Sequence, residues 1–172
     1  PIGGYGVFYV SRMLGAPLSV GIIAGLFAAG LVSFLAYRFV YRPLRARKAS
    51  GAVLLIASLG TLIALQAVIA IFFTSQFQSI SRLLPDNPTF ELWGGTFTAV
   101  QLSIFLTALI LFAVLAYILE RTLFGKAVVA ISDDEEVSKI VGIDTDRIIG
   151  ILFFIAGVIG GLGGIFIGLD TG

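Results

Sequence analysis

The chain contains no cysteine and no histidine. Disulfides, thiol nucleophiles, zinc sites built on nitrogen or sulfur, and any triad running through an imidazole are therefore excluded. Charge is also scarce: 12% of the 172 residues are charged, against about 25% in an ordinary soluble domain. With 11 basic and 10 acidic residues the formal net charge is +1, which offers no bulk field for nucleic acid. No basic segment stands ahead of a short apolar one, so no signal peptide is visible. The first residue is Pro rather than Met, and the opening PIGGYGVFYVS is apolar but too short to span a bilayer. The expectation is a piece of a longer protein.

What the chain has is apolar surface. Hydrophobic residues make up 58% of it, and Met13–Tyr37, Ala49–Ser81, Leu92–Leu119 and Ile148–Leu169 carry no charge. Each run reaches the ~20 residues that a helix needs to cross ~30 Å of hydrocarbon. The expected fold class is all-α: a polytopic transmembrane helix bundle, part of one transmembrane domain over residues 1–172, with spans near 18–40, 52–73, 99–119 and 148–169. A β-barrel is excluded, because the runs lack period-2 alternation and are about twice the length of a barrel strand. Arg38, Arg42, Arg45, Arg47 and Lys48 fall at or in the loop 41–51, only Arg82 in 74–98, and Arg121, Lys126, Lys139 and Arg147 in 120–147. Basic, poor and basic again predicts cytoplasmic, external and cytoplasmic loops. Trp93 then anchors at the outer headgroups, and Pro43 is expected to turn the first loop sharply.

Six of the ten acidic residues crowd into one window, Ser132–Arg147, SDDEEVSKIVGIDTDR. Ser132 and Glu135 have the S-x-x-E spacing of a capping box, in which each side chain satisfies an orphan N–H of a first turn. Asp133 and Asp134 fall in that turn, where the positive end of the helix dipole favours them. Val137, Ile140 and Val141 stand at i, i+3 and i+4 as one apolar stripe, and Gly142 is placed as a C-terminal stop. Asp144 or Thr145 then caps the helix that enters the membrane at Ile148. The expectation is a short amphipathic helix at the cytoplasmic face. Periodicity leaves two readings open: packing on its own bundle with the acids solvated, or presentation to a groove of a soluble partner.

Phe124-Gly-Lys-Ala, followed by Asp134-Glu-Glu-Val-Ser-Lys-Ile-Val-Gly-Ile-Asp-Thr-Asp-Arg-Ile-Ile149, resembles the cytoplasmic loop of branched-chain amino-acid permeases. These are the membrane subunits of ATP-binding-cassette importers. Their loop carries a form of an E-A-A-x-x-x-G element that docks on the ATPase. Here it reads Glu136-Val137-Ser138-Lys139-Ile140-Val141-Gly142, with Glu136 and Gly142 matching and Val137 and Ser138 in place of the alanines. Tyr41-Arg-Pro-Leu-Arg45 and Ala57-Ser-Leu-Gly-Thr-Leu-Ile-Ala-Leu-Gln66 resemble the basic loop and following span of the same permeases. The resemblance implies ATPase coupling through Glu136, Val137, Ile140, Val141 and Gly142. It also implies cytosolic ATPase subunits, a homologous permease subunit and an extracytoplasmic substrate-binding protein as partners, in the cytoplasmic membrane of a prokaryote. The substrate implied is a branched-chain or other apolar amino acid, with urea or a short amide as the alternative.

The remaining motifs fit that frame. No GxxxxGK[ST] loop is present, Gly125-Lys126 being followed by Ala127, so the chain is expected to bind no cofactor and to leave ATP to its partners. It is expected to be a transport subunit and not an enzyme, with no catalytic or metal site. Gly157/Gly161, Gly160/Gly164 and Gly164/Gly168 are each four apart and are expected to let helices approach closely; Gly21/Gly25 is a weaker version. Ser58, Thr61 and Gln66 fall within a roughly 140° arc of the second span, at ~100° per residue. They serve either as interhelical hydrogen-bonding groups or as lining of a translocation path. No span carries an ionisable residue away from its ends, which argues against proton or ion coupling. The basic loop serves topology and anionic lipid headgroups. A membrane scaffold that recruits a cytosolic factor without transport, and a channel, are the rivals.

Overall fold

The computed structural model describes residues 18–73, 89–92 and 95–170. Trp93, Arg82 and the opening eleven residues lie outside the described residues. Among the described residues four helices are long and apolar enough to cross a membrane: Ser19–Ala46, Gly51–Ile71, Ala99–Arg121 and Thr145–Gly168. The fold class is all-α and polytopic. The chain divides into two compact units, Pro1–Ile80 with Gly150–Gly172, and Ser81–Ile149.

The first unit is packed inside out relative to a soluble protein. Helix α1, Leu18–Ala36, buries Gly21, Gly25, Ala29 and Gly30. Its large residues Ile23, Phe27 and Leu31 are exposed. Hydrocarbon solvates such side chains as well as a protein core does, so contact between helices falls to small residues that let backbones approach. The long C-terminal helix of the chain, Thr145–Asp170 and called α7 below, supplies the other side. A Cβ on Gly157 would strike the Ser33 Cβ and lie 2.7 Å from the Ala29 carbonyl oxygen and 3.0 Å from the Gly30 Cα; one on Gly161 would lie 2.8 Å from the Ala29 Cβ. Phe27 meets Phe154 edge-on at 5.8 Å, and Tyr37 meets Phe153 at 5.0 Å, in geometries that add to burial. Gly160 and Gly163 meet nothing within 4 Å, and Gly164 and Gly168 are half-buried. Gly157→Ala is thus expected to cost about 1–3 kcal/mol by overpacking, whereas Gly163→Ala gains up to about 1 kcal/mol of helix propensity. Thermal unfolding of both in one detergent checks the contrast.

The first span runs past the expected boundary at Val40. A π-helical segment, Tyr37–Tyr41, in which the Arg42 N–H donates to the Tyr37 carbonyl, leads into α2, Arg42–Ala46. Proline has no N–H for the carbonyl four residues back and its ring crowds that carbonyl. A widened turn ahead of Pro43 relieves the clash, and the axis continues. Pro43 therefore does not make the turn; Arg47–Ser50 does. The Lys48 N–H donates to the Arg45 carbonyl at 2.9 Å and the Ala49 N–H to the Leu44 carbonyl at 3.1 Å, with Lys48 at φ 51°. This is a Schellman stop with a lysine in the left-handed position. Helix α3, Gly51–Phe73, follows.

In the second unit, strands β1, Thr89–Leu92, and β2, Gly95–Thr98, pair antiparallel with Phe90 opposite Phe97. This hairpin lies in the stretch read from sequence as loop. Thr98 then opens α4, Ala99–Arg121, through a capping box: its Oγ1 accepts from the Gln101 N–H at 3.3 Å, and Gln101 Oε1 accepts from the Thr98 N–H at 3.4 Å. Two short helices follow, α5 over Leu123–Asp133 and α6 over Glu135–Ile140.

Candidate functional site

The route from α4 to α6 is built from caps. At Thr122 the chain leaves α4; the Thr122 Oγ1 donates to the Ile118 carbonyl at 2.6 Å and accepts from the Gly125 N–H at 3.1 Å. One hydroxyl thereby closes one helix and starts the next. Gly125 is buried in this corner, and a Cβ there would run into the carbonyl oxygen of Leu119. Sequence periodicity carries no sign of that collision, although the T-x-x-G spacing was available as a cap signal.

The capping box expected at Ser132 and Glu135 is not formed. Helix α5 continues to Asp133, so Ser132 lies in its last turn, and the break falls at Asp134, extended at φ −155°. Asp134 Oδ1 accepts from the N–H groups of Glu136 at 2.8 Å and Val137 at 3.0 Å. Glu135 pairs with Lys139 at 2.7 Å, a surface contact worth about 0.3–0.5 kcal/mol. The stop is the expected one: Gly142, at φ 90°, donates to the Lys139 carbonyl at 3.1 Å, and Ile143 donates to the Ser138 carbonyl at 3.0 Å. Asp144 Oδ1 accepts from the Arg147 N–H at 3.1 Å and caps α7.

These caps set how α6 is turned. Ser138 is 2% exposed, while Val137, Ile140 and Val141 are 54%, 84% and 71% exposed. Within the chain the apolar stripe is presented rather than packed, and Glu136 is exposed beside it. A bulky L residue is strained in the left-handed region, whereas Asn visits it more readily. Gly142→Leu is therefore expected to derange the stop at a cost of about 1–2 kcal/mol, while Gly142→Asn loses less. Thermal unfolding of both in one detergent measures the difference.

The in-span polar residues divide. In the first unit a groove of about 300 Å³ is lined by Ser33, Tyr41, Ser58, Thr61, Phe153 and Gly160, among others. Ser58 Oγ donates to the Leu55 carbonyl and Thr61 Oγ1 to the Ala57 carbonyl, each at 2.7 Å. With its proton committed to the helix, each hydroxyl keeps acceptor lone pairs, which suits a ligand N–H. Gln66 is exposed and lines neither this groove nor its neighbour. Ser33 and Tyr41 were not foreseen, because which face of α1 meets α3 is not written in either helix alone. Among the described residues no group of three or more His, Cys, Asp or Glu side chains could hold a metal ion.

Four apolar helices, with a short amphipathic helix set between the last two, define a multi-pass membrane protein. The family model described as the permease component of a branched-chain amino acid transport system matches residues 2–172, and the chain belongs to that family. It is 27% identical over 154 residues to the high-affinity branched-chain amino acid transport system permease protein BraD of Pseudomonas aeruginosa, covering 85% of this chain and 50% of that one. It is 28% identical over 175 residues to LivH, of the same description, from Escherichia coli K12, covering 93% and 56%. Over 96 residues it is 27% identical to the L-arabinose ABC transporter permease protein AraH of Azospirillum brasilense, covering 56% and 27%. The chain thus spans about half the length of the curated relatives it matches. No solved structure matches it.

Proposed function

We propose that the chain is part of the permease subunit of an ATP-driven importer that carries branched-chain or other apolar amino acids across the cytoplasmic membrane of a prokaryote. The observation that carries this reading is the outward apolar stripe of α6, stopped by Gly142 and backed by a buried Ser138, in a member of this permease family. A cytosolic ATPase subunit takes that stripe into a groove, and closure of paired ATPases on ATP moves the helix. A homologous permease subunit and an extracytoplasmic binding protein complete the assembly. The chain itself binds no nucleotide and catalyses no reaction. The basic turn at Arg47–Lys48 and the loop 120–147, with Arg121, Lys126, Lys139 and Arg147 against the single Arg82 of 74–98, face the cytoplasm by the distribution of Lys and Arg among the connections.

The groove at Ser58 and Thr61 suits an apolar amino acid: an α-ammonium finds hydroxyl acceptors there, an aliphatic side chain finds Phe153 and Leu65, and the Ser33 and Tyr41 hydroxyls in the same lining are the donors open to a carboxylate. The test is binding-protein-dependent uptake by the full permease, reconstituted with its ATPase, against leucine, isoleucine, valine, urea, acetamide and L-arabinose. Uptake of a branched-chain amino acid that requires ATP supports the proposal. Uptake of urea or arabinose alone transfers it to another substrate class, flux without the ATPase makes the protein a channel, and ATPase recruitment without uptake of anything makes it a scaffold.

A further inference from the structure

On the other flank of the α1–α3 contact lies a second groove of about 570 Å³, lined by Val32, Leu35, Phe39, Gly60, Ala64 and Val68, among others. Val32, Ala36, Thr61 and Leu65 border both grooves, so the two flank a shared ridge. This second one offers almost no polar lining beyond Thr61, whose hydroxyl proton is already given to Ala57. Its floor is open, since a Cβ on Gly60 would meet nothing within 4 Å. The lining runs from residue 57 to 68 on α3, roughly 16 Å at ~1.5 Å per residue. That is the depth of one leaflet of a ~30 Å hydrocarbon core.

The end of this groove at Phe39 and Val40 abuts a segment of one charge sign. Arg38, Arg42, Arg45, Arg47 and Lys48 occur within eleven residues, and no Asp or Glu precedes Asp86 in the chain. Arg38, next to the exposed Phe39, and Arg47, in the turn, are both exposed. Long cationic side chains at a span end lay their stems on apolar surface and set their charge among the headgroups.

We propose that this groove is a binding site for one anionic phospholipid, its acyl chain along Leu35, Phe39, Gly60 and Ala64 and its phosphate at the basic end, attracted by the exposed charges of Arg38 and Arg47. Apolar length on its own would accept any lipid; the adjoining cations select the anionic one. Each exposed cation at the surface contributes roughly fivefold.

The experiment is native mass spectrometry of the full permease, stripped of lipid and resupplied with equimolar phosphatidylglycerol and phosphatidylethanolamine of the same chains. Phosphatidylglycerol is expected to be retained at least about tenfold over phosphatidylethanolamine. Arg38→Gln with Arg47→Gln should bring the ratio close to one. Three cations remain in that variant to hold the topology. Ala64→Trp, which fills the groove and leaves the cations in place, should lower retention of both lipids. Equal retention by the parent protein, or a preference unchanged in the double variant, overturns the proposal. So does displacement of phosphatidylglycerol by soluble glycerol 3-phosphate, which would mean that the headgroup alone is bound. None of these outcomes depends on what the protein transports.

Discussion

Ile140→Asp is expected to abolish ATP-dependent uptake while leaving membrane insertion intact. At 84% exposure the side chain supports little of the fold, and exposed substitutions usually stay within about 0.5 kcal/mol. The proposed docking of α6 on an ATPase changes the arithmetic. In the groove of a partner the new carboxylate would be buried and unpaired, and an unpaired buried charge costs about 3–5 kcal/mol. Each 1.36 kcal/mol is tenfold, so uptake should fall at least about a hundredfold and the ATPase should be lost on purification. Ser132→Ala is the control: exposed, in the last turn of α5 and capping nothing, it should leave uptake within about twofold. Retention of both the ATPase and transport by Ile140→Asp would move the docking face away from α6.

Gly125→Ala is expected to have the largest structural effect of any single methyl group in the second unit. The added carbon would overlap the Leu119 carbonyl oxygen and lie 2.5 Å from that of Ile118. Neither oxygen can swing aside cheaply. The Ile118 carbonyl already accepts from the Thr122 N–H at 3.2 Å and from its hydroxyl at 2.6 Å. A collision with pinned backbone belongs among the severe core changes, about 3 kcal/mol or more. The variant should accumulate poorly, and what accumulates should unfold several degrees lower in detergent. Gly60→Ala, which adds the same carbon into open space, should do neither.

The spans were legible because uncharged length is a one-dimensional property; the caps were not, because they depend on where the preceding element stops. Ser132 and Glu135 have the right spacing, but α5 runs on through Ser132 and moves the break to Asp134. Gly142 was read correctly because a left-handed stop needs only the glycine and the carbonyls just behind it. Pro43 was misread through a sound rule, that proline ends helices, since the π turn ahead of it gives the chain another way to satisfy that constraint. Ser58 and Thr61 share a groove while Gln66 does not. A helical arc gives angle but not depth, and Gln66 lies roughly 7.5 Å further along the axis than Thr61. The hairpin was signalled by T-F-E-L and G-T-F-T on either side of Trp93-Gly94, weakly against so much helix-length apolar sequence.

The π turn at Tyr37–Tyr41 has a consequence for how the first helix is phased. Tyr37 and Tyr41, at the two ends of the turn, both meet Phe153 of α7 at 5.0 Å, so the seam runs through the turn; beyond it, the azimuth of Arg42 and Arg45 answers to Pro43. Pro43→Ala that let this turn wind as regular α-helix at unchanged length would swing the cationic end round by about 100°, the rotation of the one extra residue the turn absorbs. The membrane-buried seam and the charged tip of a single rod are thus adjustable independently, with one proline as the swivel.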